Sequence, residues 1–411
     1  MADELATSCE ARAAAELAAR TAYGRLLASL ARRTRDIAAA EDALADAFAR
    51  ALERWPDDGV PDRPEAWLLT AARRRLIDAG RREKTRDAAT GELVSLLDPA
   101  RPDRPLPDDR LRLMFVCAHP AIDPAIRTPL MLQTVLGLDA ARIAQAFLVS
   151  PAAMGQRLSR AKRKIKDAGI AFDMPEPEEA ADRLAAVLDA VYAAYTDGWA
   201  DYGAGPEGLA GEALFLAGLV AEFLQGEAEA HGLLALLRYC QSRHRARRGL
   251  DGGFVPLAEQ DTALWDHRLI AQAEAGLRRA LALGPPGRFS LEAAIQSVHA
   301  ARAVTGRTDW TALARLYDGL IAQGAGLGAH IARACVQGEI AGPAAALAGL
   351  DALETSAGKA LAGHQPFHAA RAHWLAQAGQ PGPAREAYGR ALALTADPAV
   401  RDWLQARCAA L

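Results

Sequence analysis

Six cations fall within residues 157–166, at Arg157, Arg160, Lys162, Arg163, Lys164 and Lys166, with Gln156 just ahead of them. On a helix, side chains of these types neutralise phosphates and hydrogen-bond to base edges. A guanidinium reaches guanine or phosphate, and a carboxamide pairs with adenine. No comparable cluster serves covalent chemistry. Cys117 and His119 offer a thiol and an imidazole two residues apart, yet Pro120 follows and no partner acid or oxyanion donor is identifiable, so Cys117 reads as a buried structural cysteine. His364 and His368 have metal-type spacing, with His373 beyond. Pro366 disfavours a continuous helix between the first two, and HQPFHAARAHW (364–374) contains no carboxylate. RYCQSRHRARRG (238–249) reads as a helix end whose cations favour the dipole. No Walker-type or dinucleotide-type glycine loop is present. These residues predict a binding protein, not an enzyme, with no metal and no cofactor.

The cations need a scaffold, and DAARIAQAFLVSPAAMGQRLSRAKRKIKDA (139–168) supplies one. Asp139 to Phe147 reads as a short helix and Leu148–Ser150 as a tight turn. Ser150 is placed to cap the next helix, with Pro151 at its first position. Met154, Leu158, Ala161 and Ile165 recur on one apolar stripe. Ala152, Gln156, Ser159 and Arg163 project opposite, flanked by Arg157, Arg160, Lys162, Lys164 and Lys166. The layout is a helix-turn-helix whose second helix reads a groove.

A second basic helix is predicted in PEAWLLTAARRRLIDAGRREK (64–84). Leu68, Ala72, Leu76 and Ala79 share its apolar face, and Thr70, Arg73, Arg74, Ile77 and Arg81 the other. Upstream, EDALADAFARALERW (41–55) presents Asp42, Asp46 and Glu53 with Phe48 and Trp55, an acidic amphipathic helix suited to a basic protein surface.

The wider chain is built to carry helices. It has 411 residues, 51% of them hydrophobic, which suggests two to four domains with packed cores. Alanine, leucine and arginine dominate while β-branched and aromatic residues are sparse, so an all-α fold is expected. The net charge of −3 signals no nucleic-acid partner, so the local patterning carries that inference. Five scattered cysteines without CxxC spacing fit a reducing cytoplasm. The first residues do not read as a signal peptide, and no stretch has the roughly 20 apolar residues of a membrane helix. Residues 11–54 read as helical throughout, WPDDGVPDRP (55–64) as a loop, and 64 to about 86 as a helix. A Pro/Asp-rich linker follows over 87–109. Helices resume from Asp109 to Gly169, and MPEPEEA (174–180) reads as a hinge. More than 200 Ala/Leu-rich residues come after it, with at most a short strand near Phe254 and Val255.

Together these segments resemble the extracytoplasmic-function group of sigma-70 factors. In that family an AEDxxQDxFxxAxxxW-like helix binds the clamp helices of the polymerase largest subunit. Here EDALADAFARALERW stands in its place, with Ala45 where glutamine is frequent. WLLTAARRRLID (67–78) resembles the family's WLxxxARRxxID helix of sigma domain 2, which reads and helps melt the −10 promoter element. Residues 108–172 resemble sigma domain 4, which reads the −35 element, with Ala118 where a second cysteine is common. AQAFLVSPAAMGQRLSRAKRKI is close to one subgroup whose members carry a TPR-like C-terminal extension, as is AEQDTALWDHRLIAQA (258–273), although TDGW (196–199) replaces a more usual NEGY-like stretch.

The resemblance implies domain 2 over 10–87, an acidic Pro-rich linker over 88–107, domain 4 over 108–172 and a helical extension over 178–411. It assigns core polymerase binding to Asp42, Asp46, Phe48, Arg50 and Glu53. It assigns −10 contacts to Thr70, Arg73, Arg74, Ile77 and Arg81, and −35 contacts to Ser150, Ala152, Gln156, Arg157, Ser159, Arg160, Arg163 and Lys164. The linker carboxylates Asp98, Asp103, Asp108 and Asp109 would thread a basic channel of the core enzyme. The implied partners are core RNA polymerase (clamp helices and flap) and promoter DNA, with no membrane.

The extension shows the TPR rhythm in AHWLAQAGQPGPAREAYGRALALTADP (372–398). RACVQGEIAGPAAALAGLDAL (333–353) repeats it, with Gly338 and Gly342–Pro343 at the turn. Stacked pairs of this kind present a concave face to peptides or proteins, so the extension is expected to hold a regulatory protein or to touch the sigma domains or polymerase and control activity. One alternative is a one-component helix-turn-helix regulator with a helical ligand- or protein-sensing domain, which leaves residues 41–82 unexplained. Another is a TPR-type adaptor without DNA contact, which ignores both basic faces.

Overall fold

The computed structural model describes residues 2–86, 108–200 and 208–411, and among these it is all-α. Where a short strand was expected there is an isolated bridge between Arg248 and Phe254. The chain divides into two compact units, Met1–Leu224 and Gln225–Leu411.

The first unit opens with α1 (Ala2–Thr34) and α2 (Ile37–Asp58). The continuous helix expected over 11–54 is therefore broken. Arg35 adopts a left-handed φ of 54°, and the Asp36 carboxylate accepts from the Ala39 N–H at 3.0 Å. Thr-Arg-Asp is itself a stop-and-cap signal, and such a cap contributes about 1 kcal/mol. The expected loop is shorter than 55–64, because α2 continues through Pro56 to Gly59, whose φ of 83° ends it. α3 (Pro64–Arg86) begins at its proline as expected. Trp55 is 2% exposed and meets Trp67 edge-on at 5.5 Å, so it welds α2 to α3 and is not presented to a partner. The apolar stripe of α3 also runs out early. Leu68 and Ala72 are buried, Leu76 is half-buried and Ala79 is exposed.

α4 (Arg110–Cys117), α5 (Pro124–Thr134), α6 (Ala140–Ala146) and α7 (Pro151–Asp167) follow. Cys117 is buried with its Sγ 3.5 Å from Thr134 Oγ1, and burial pushes its thiol up to about 12. α8 (Pro177–Ala200) and α9 (Leu209–Phe223) pack on α4 and α5 within this same unit. Asp98 and Asp103 lie outside the described residues. Asp108 and Asp109 do not stand free as channel-threading charges: Asp108 pairs with Arg110 at 2.6 Å, and Asp109 with Arg32 at 3.1 Å.

The second unit is a series of packed helices: α10 (Ala228–Ser242), α11 (His267–Leu283), α12 (Arg288–Ala300), α13 (Arg302–Thr305), α14 (Trp310–Ala322), α15 (Leu327–Ala341), α16 (Pro343–Leu361), α17 (Gln365–Gln377), α18 (Pro381–Ala393) and α19 (Pro398–Ala409). The α15–α16 and α17–α18 hairpins stand where the TPR rhythm was read. Gly342, at φ 89°, makes the first turn. Gly338 does not belong to that turn. It lies inside α15, where a Cβ would come within 2.5 Å of the Trp374 ring, so its lack of a side chain lets α17 approach. His364 lies outside the helix as the N-cap of α17, while His368 is buried with its Nε2 3.2 Å from the Ala362 carbonyl. The stretch between α10 and α11 reaches α19 through Arg248–Asp397 at 2.5 Å and Phe254–Trp403 at 5.8 Å.

Candidate nucleic-acid interface

The turn before α7 is assembled from local hydrogen bonds. Asp139 accepts from the N–H groups of Ala141 and Arg142 at 2.9 and 2.8 Å, which starts α6. Leu148 takes a left-handed φ of 53°, and the Val149 N–H donates to the Ala144 carbonyl at 3.0 Å. Ser150 Oγ then accepts from the Ala153 N–H at 3.3 Å, and Pro151 opens α7 with its φ preset for a helix. Reversal of direction within three residues sets the two helices in helix-turn-helix relation.

α7 sorts its residues by face. Met154, Leu158, Ala161 and Ile165 are all buried, so the apolar stripe is the anchor. Ser150, Ala152, Gln156, Arg157, Ser159, Arg160, Arg163 and Lys164 are all exposed. The Arg160 guanidinium folds back along the helix, with Nε donating to the Gln156 carbonyl at 3.3 Å. Lys162, read from sequence as a flanking outward cation, is instead buried. Its Nζ lies 2.6 and 2.5 Å from the two carboxylate oxygens of Glu41. Position along the stripe decides this, since Lys162 follows Ala161 at the edge facing α2.

On α3, Thr70 and Arg74 are exposed, with Thr70 Oγ1 donating to the Ala66 carbonyl at 2.8 Å. Arg73 and Ile77 are half-buried. Burial, together with the neighbouring Arg33 cation, lowers the pKa of Arg73, and its Nε has no hydrogen-bond partner among the described residues. The side chain of Arg81 lies outside the described residues. Arg33, on the basic end of α1, was not singled out in the sequence, although the run ARRTRD carried the signal.

Asp42, Asp46 and Glu53 share one side of α2, with Asp42 and Glu53 exposed. Asp46 is tied down by Arg50 at 3.3 Å and Arg75 at 3.1 Å. Phe48 is half-buried, whereas Arg50 is exposed at the rim of a groove between α2 and α3 of about 580 Å³. That groove brings together Arg50, Glu53, Arg54, Trp67, Thr70 and Arg74. Arginines beside an indole suit a flat, phosphate-bearing ligand, by stacking and by charge. Trp67 and Arg54 were missed by residue reasoning because their neighbours lie on a different helix. The groove mixes residues read as polymerase contacts (Arg50 and Glu53) with residues read as −10 contacts (Thr70 and Arg74).

The first two helices of the expected extension, α8 and α9, are tied into the first unit by ion pairs. Arg142 of α6 pairs with Asp197 of α8 at 2.7 Å, and Arg110 of α4 with Glu212 of α9. Among the described residues no group of His, Cys, Asp and Glu is arranged to hold a metal, and no helix is long and apolar enough to cross a membrane.

Residues 20–86 match the family Sigma-70 region 2, and residues 183–281 match a family of unknown function, DUF6596. An "Uncharacterized protein R00370" of Rhizobium meliloti (strain 1021) is 36% identical over 395 residues, covering 92% of this chain and 91% of that protein. A "Probable ECF RNA polymerase sigma factor SigI" of Mycobacterium tuberculosis, from strains CDC 1551 / Oshkosh and ATCC 25618 / H37Rv, is 34% identical over 153 residues. That match covers 35% of this chain and about half, 51%, of the SigI protein. No solved structure matches the chain. With a sigma-70 region 2 over α1 to α3 and a sigma-factor relative of the same group, this chain belongs to the extracytoplasmic-function family of sigma-70 factors, with a C-terminal extension.

Proposed function

We propose that this sigma factor docks on core RNA polymerase through the acidic side of α2, at Asp42, Asp46, Phe48, Arg50 and Glu53, and places two basic helices on promoter DNA. In this reading Thr70, Arg73, Arg74, Ile77 and Arg81 of α3 engage the −10 element. Ser150, Ala152, Gln156, Arg157, Ser159, Arg160, Arg163 and Lys164 of the turn and α7 engage the −35 element. The observation that supports it most is the sorting of α7, which buries its apolar stripe while leaving these eight residues exposed. Arginine and glutamine on such a face pair with guanine and adenine edges. The α2–α3 groove then accommodates an unstacked base, offsetting the few kcal/mol that unstacking costs. The reaction itself belongs to the polymerase, so the chain contributes position and strand separation and no catalytic residue.

The extension controls activity in this proposal, acting on the DNA-reading unit or through a regulatory protein bound to its helical hairpins. The two ion pairs that pin α8 to α6 and α9 to α4 tie the first helices of the extension into the first unit, so control by the remainder is tested beyond Leu224. Transcription with core polymerase, comparing the full chain with one ending at Leu224, tests this. A cut at 180 would strip α8 and α9 from their own unit and confuse control with unfolding. Promoter output that differs several-fold supports control by the second unit, and equal output removes it. Operator binding that needs no polymerase would favour the one-component regulator.

A further inference from the structure

The basic run RYCQSRHRARRG (238–249) has no part in the proposed function, yet in the second unit it meets further basic side chains from a distant stretch of the chain. Arg243, at the end of α10, donates from Nη2 to Gln296 Oε1 of α12 at 2.5 Å. His299 lies one turn beyond Gln296, and one turn further on Arg302 opens α13. Arg302 donates from both terminal nitrogens, at 2.9 Å each, to the carbonyls of Ala258 and Gln260, and its guanidinium lies 5.1 Å over the Trp265 ring. Arg243 is close enough to add to the effect of burial in lowering the pKa of both Arg302 and His299.

These hydrogen bonds explain where the side chains sit but not why they are charged. The acceptors on Arg243 and Arg302 are all neutral: a carboxamide, a thiol and two peptide carbonyls. Neutral donors would make such bonds without setting two guanidiniums beside an imidazole. Glu292, the carboxylate one turn before Gln296, is held by Arg288 at 2.9 Å. The carbonyl end of α10 favours Arg243, and the Trp265 face offsets part of the Arg302 charge. Neither supplies the missing negative charge. All four side chains, Arg243, Gln296, His299 and Arg302, are half-buried, so the cluster is open to solvent on one side. Half-buried cations with no carboxylate of their own are complementary to an anion brought from outside. Val304, two residues from Arg302, is 90% exposed, and Leu264, on the turn Thr262–Leu264 that packs against α13, is 50% exposed. Singly such residues are ordinary, but beside uncompensated cations they favour a peptide with both carboxylates and apolar side chains over an inorganic anion.

We propose that Arg243, His299 and Arg302, with Val304 and Leu264 beside them, form a docking site for a segment of another protein rich in carboxylates and carrying apolar side chains. Its carboxylates meet the Nε and Nη1 donors of Arg243, which make no hydrogen bond among the described residues, and its apolar side chains cover Val304 and Leu264. The inference rests on the proposed function only for its consequence, because it gives the regulatory protein suggested there a chemistry and a place. Binding itself is a property of the second unit.

The test uses the full chain and a fluorescein-labelled peptide of glutamates interspersed with leucines, read by anisotropy, beside the same peptide with glutamine for glutamate. The glutamate peptide is expected to bind saturably and the glutamine peptide roughly tenfold more weakly. Arg243→Gln and Val304→Asp are each expected to weaken the glutamate peptide by about tenfold. Circular dichroism identifies a variant that has unfolded, and Val304→Asp, at a side chain already in water, then decides the outcome. Arg278→Gln removes a cation of equal charge from α11, 72% exposed, and is expected to change affinity by less than about twofold. A glutamate peptide that does not bind, or that binds regardless of Arg243 and Val304, overturns the site. Equal losses in all three variants mark general charge attraction and overturn it too. Pyrophosphate that binds more tightly than the peptide and displaces it overturns the peptide as occupant. None of these results changes the comparison of transcription by the full chain and by one ending at Leu224, so failure here is distinct from failure of control by the second unit.

Discussion

Arg110 and Glu212 form an ion pair that joins the start of α4 to α9 of the extension, with the Arg110 side chain only 5% exposed. Asp108 takes the same guanidinium at 2.6 Å, and the Phe215 ring lies 5.2 Å beneath it. The first helices of the extension are therefore built into the first unit at a buried cation, whose loss is costly.

Removing Arg110 strands two carboxylates and an aromatic face. Arg110→Ala is expected to destabilise the first unit by about 3–5 kcal/mol, and Glu212→Ala by less, since Asp108 remains. Urea unfolding of the full chain measures both. Arg12→Ala, at the exposed Arg12–Glu16 pair, is expected to stay within about 0.5 kcal/mol of wild type.

The base contacts proposed for α7 would give a different signature. Arg160→Ala and Arg163→Ala are each expected to weaken use of the −35 element by about 1–3 kcal/mol with stability unchanged, because both side chains are exposed. Transcription from promoters carrying and lacking that element separates this from a general loss of phosphate attraction, which would fall equally on both.

These two expectations differ in how far the sequence alone could have reached them. The faces of α7 were legible because a 3.6-residue period and a Ser-Pro cap are local signals, and so was the start of α3 at Pro64. The break at Arg35–Asp36 is also local, but it was hidden by the unbroken helical composition on either side. Lys162 and Trp55 were misplaced because burial beside another helix is a long-range property. Nothing near Lys162 in the chain says that Glu41 faces it, and nothing near Arg110 announces Glu212. The α2–α3 groove was half legible, since each helix showed its own cations and neither showed that Trp67 and Arg54 share a wall.

Burial makes Cys117 chemically quiet. With its thiol pushed up to about 12 and its unfolded value near 9, the native state keeps the proton that the unfolded chain loses. Stability from this group is therefore complete below about pH 9 and declines as pH rises toward 12. At pH 8 a thiol reagent is expected to modify exposed Cys9 rapidly, and Cys117 only at the rate of unfolding. Rapid native-state labelling of Cys117 would contradict the buried, structural assignment.

In the second unit, burial lowers His299 to about 4, aided by the Arg243 and Arg302 cations. The unfolded chain binds its proton below pH 6.5 while the folded chain does not, so stability is lost as pH falls from about 6.5 toward 4. The loss is at most about 3 kcal/mol. Urea midpoints at pH 7 and pH 5 measure it, and His299→Gln is expected to flatten the dependence.

The most direct test of the sigma assignment is transcription by purified core polymerase from a mapped promoter with −10 and −35 elements, with and without the full-length chain. The expected result is a specific transcript that requires both the chain and the polymerase and fades when either element is scrambled. A folded chain that neither co-purifies with the polymerase nor directs any transcript would contradict the account.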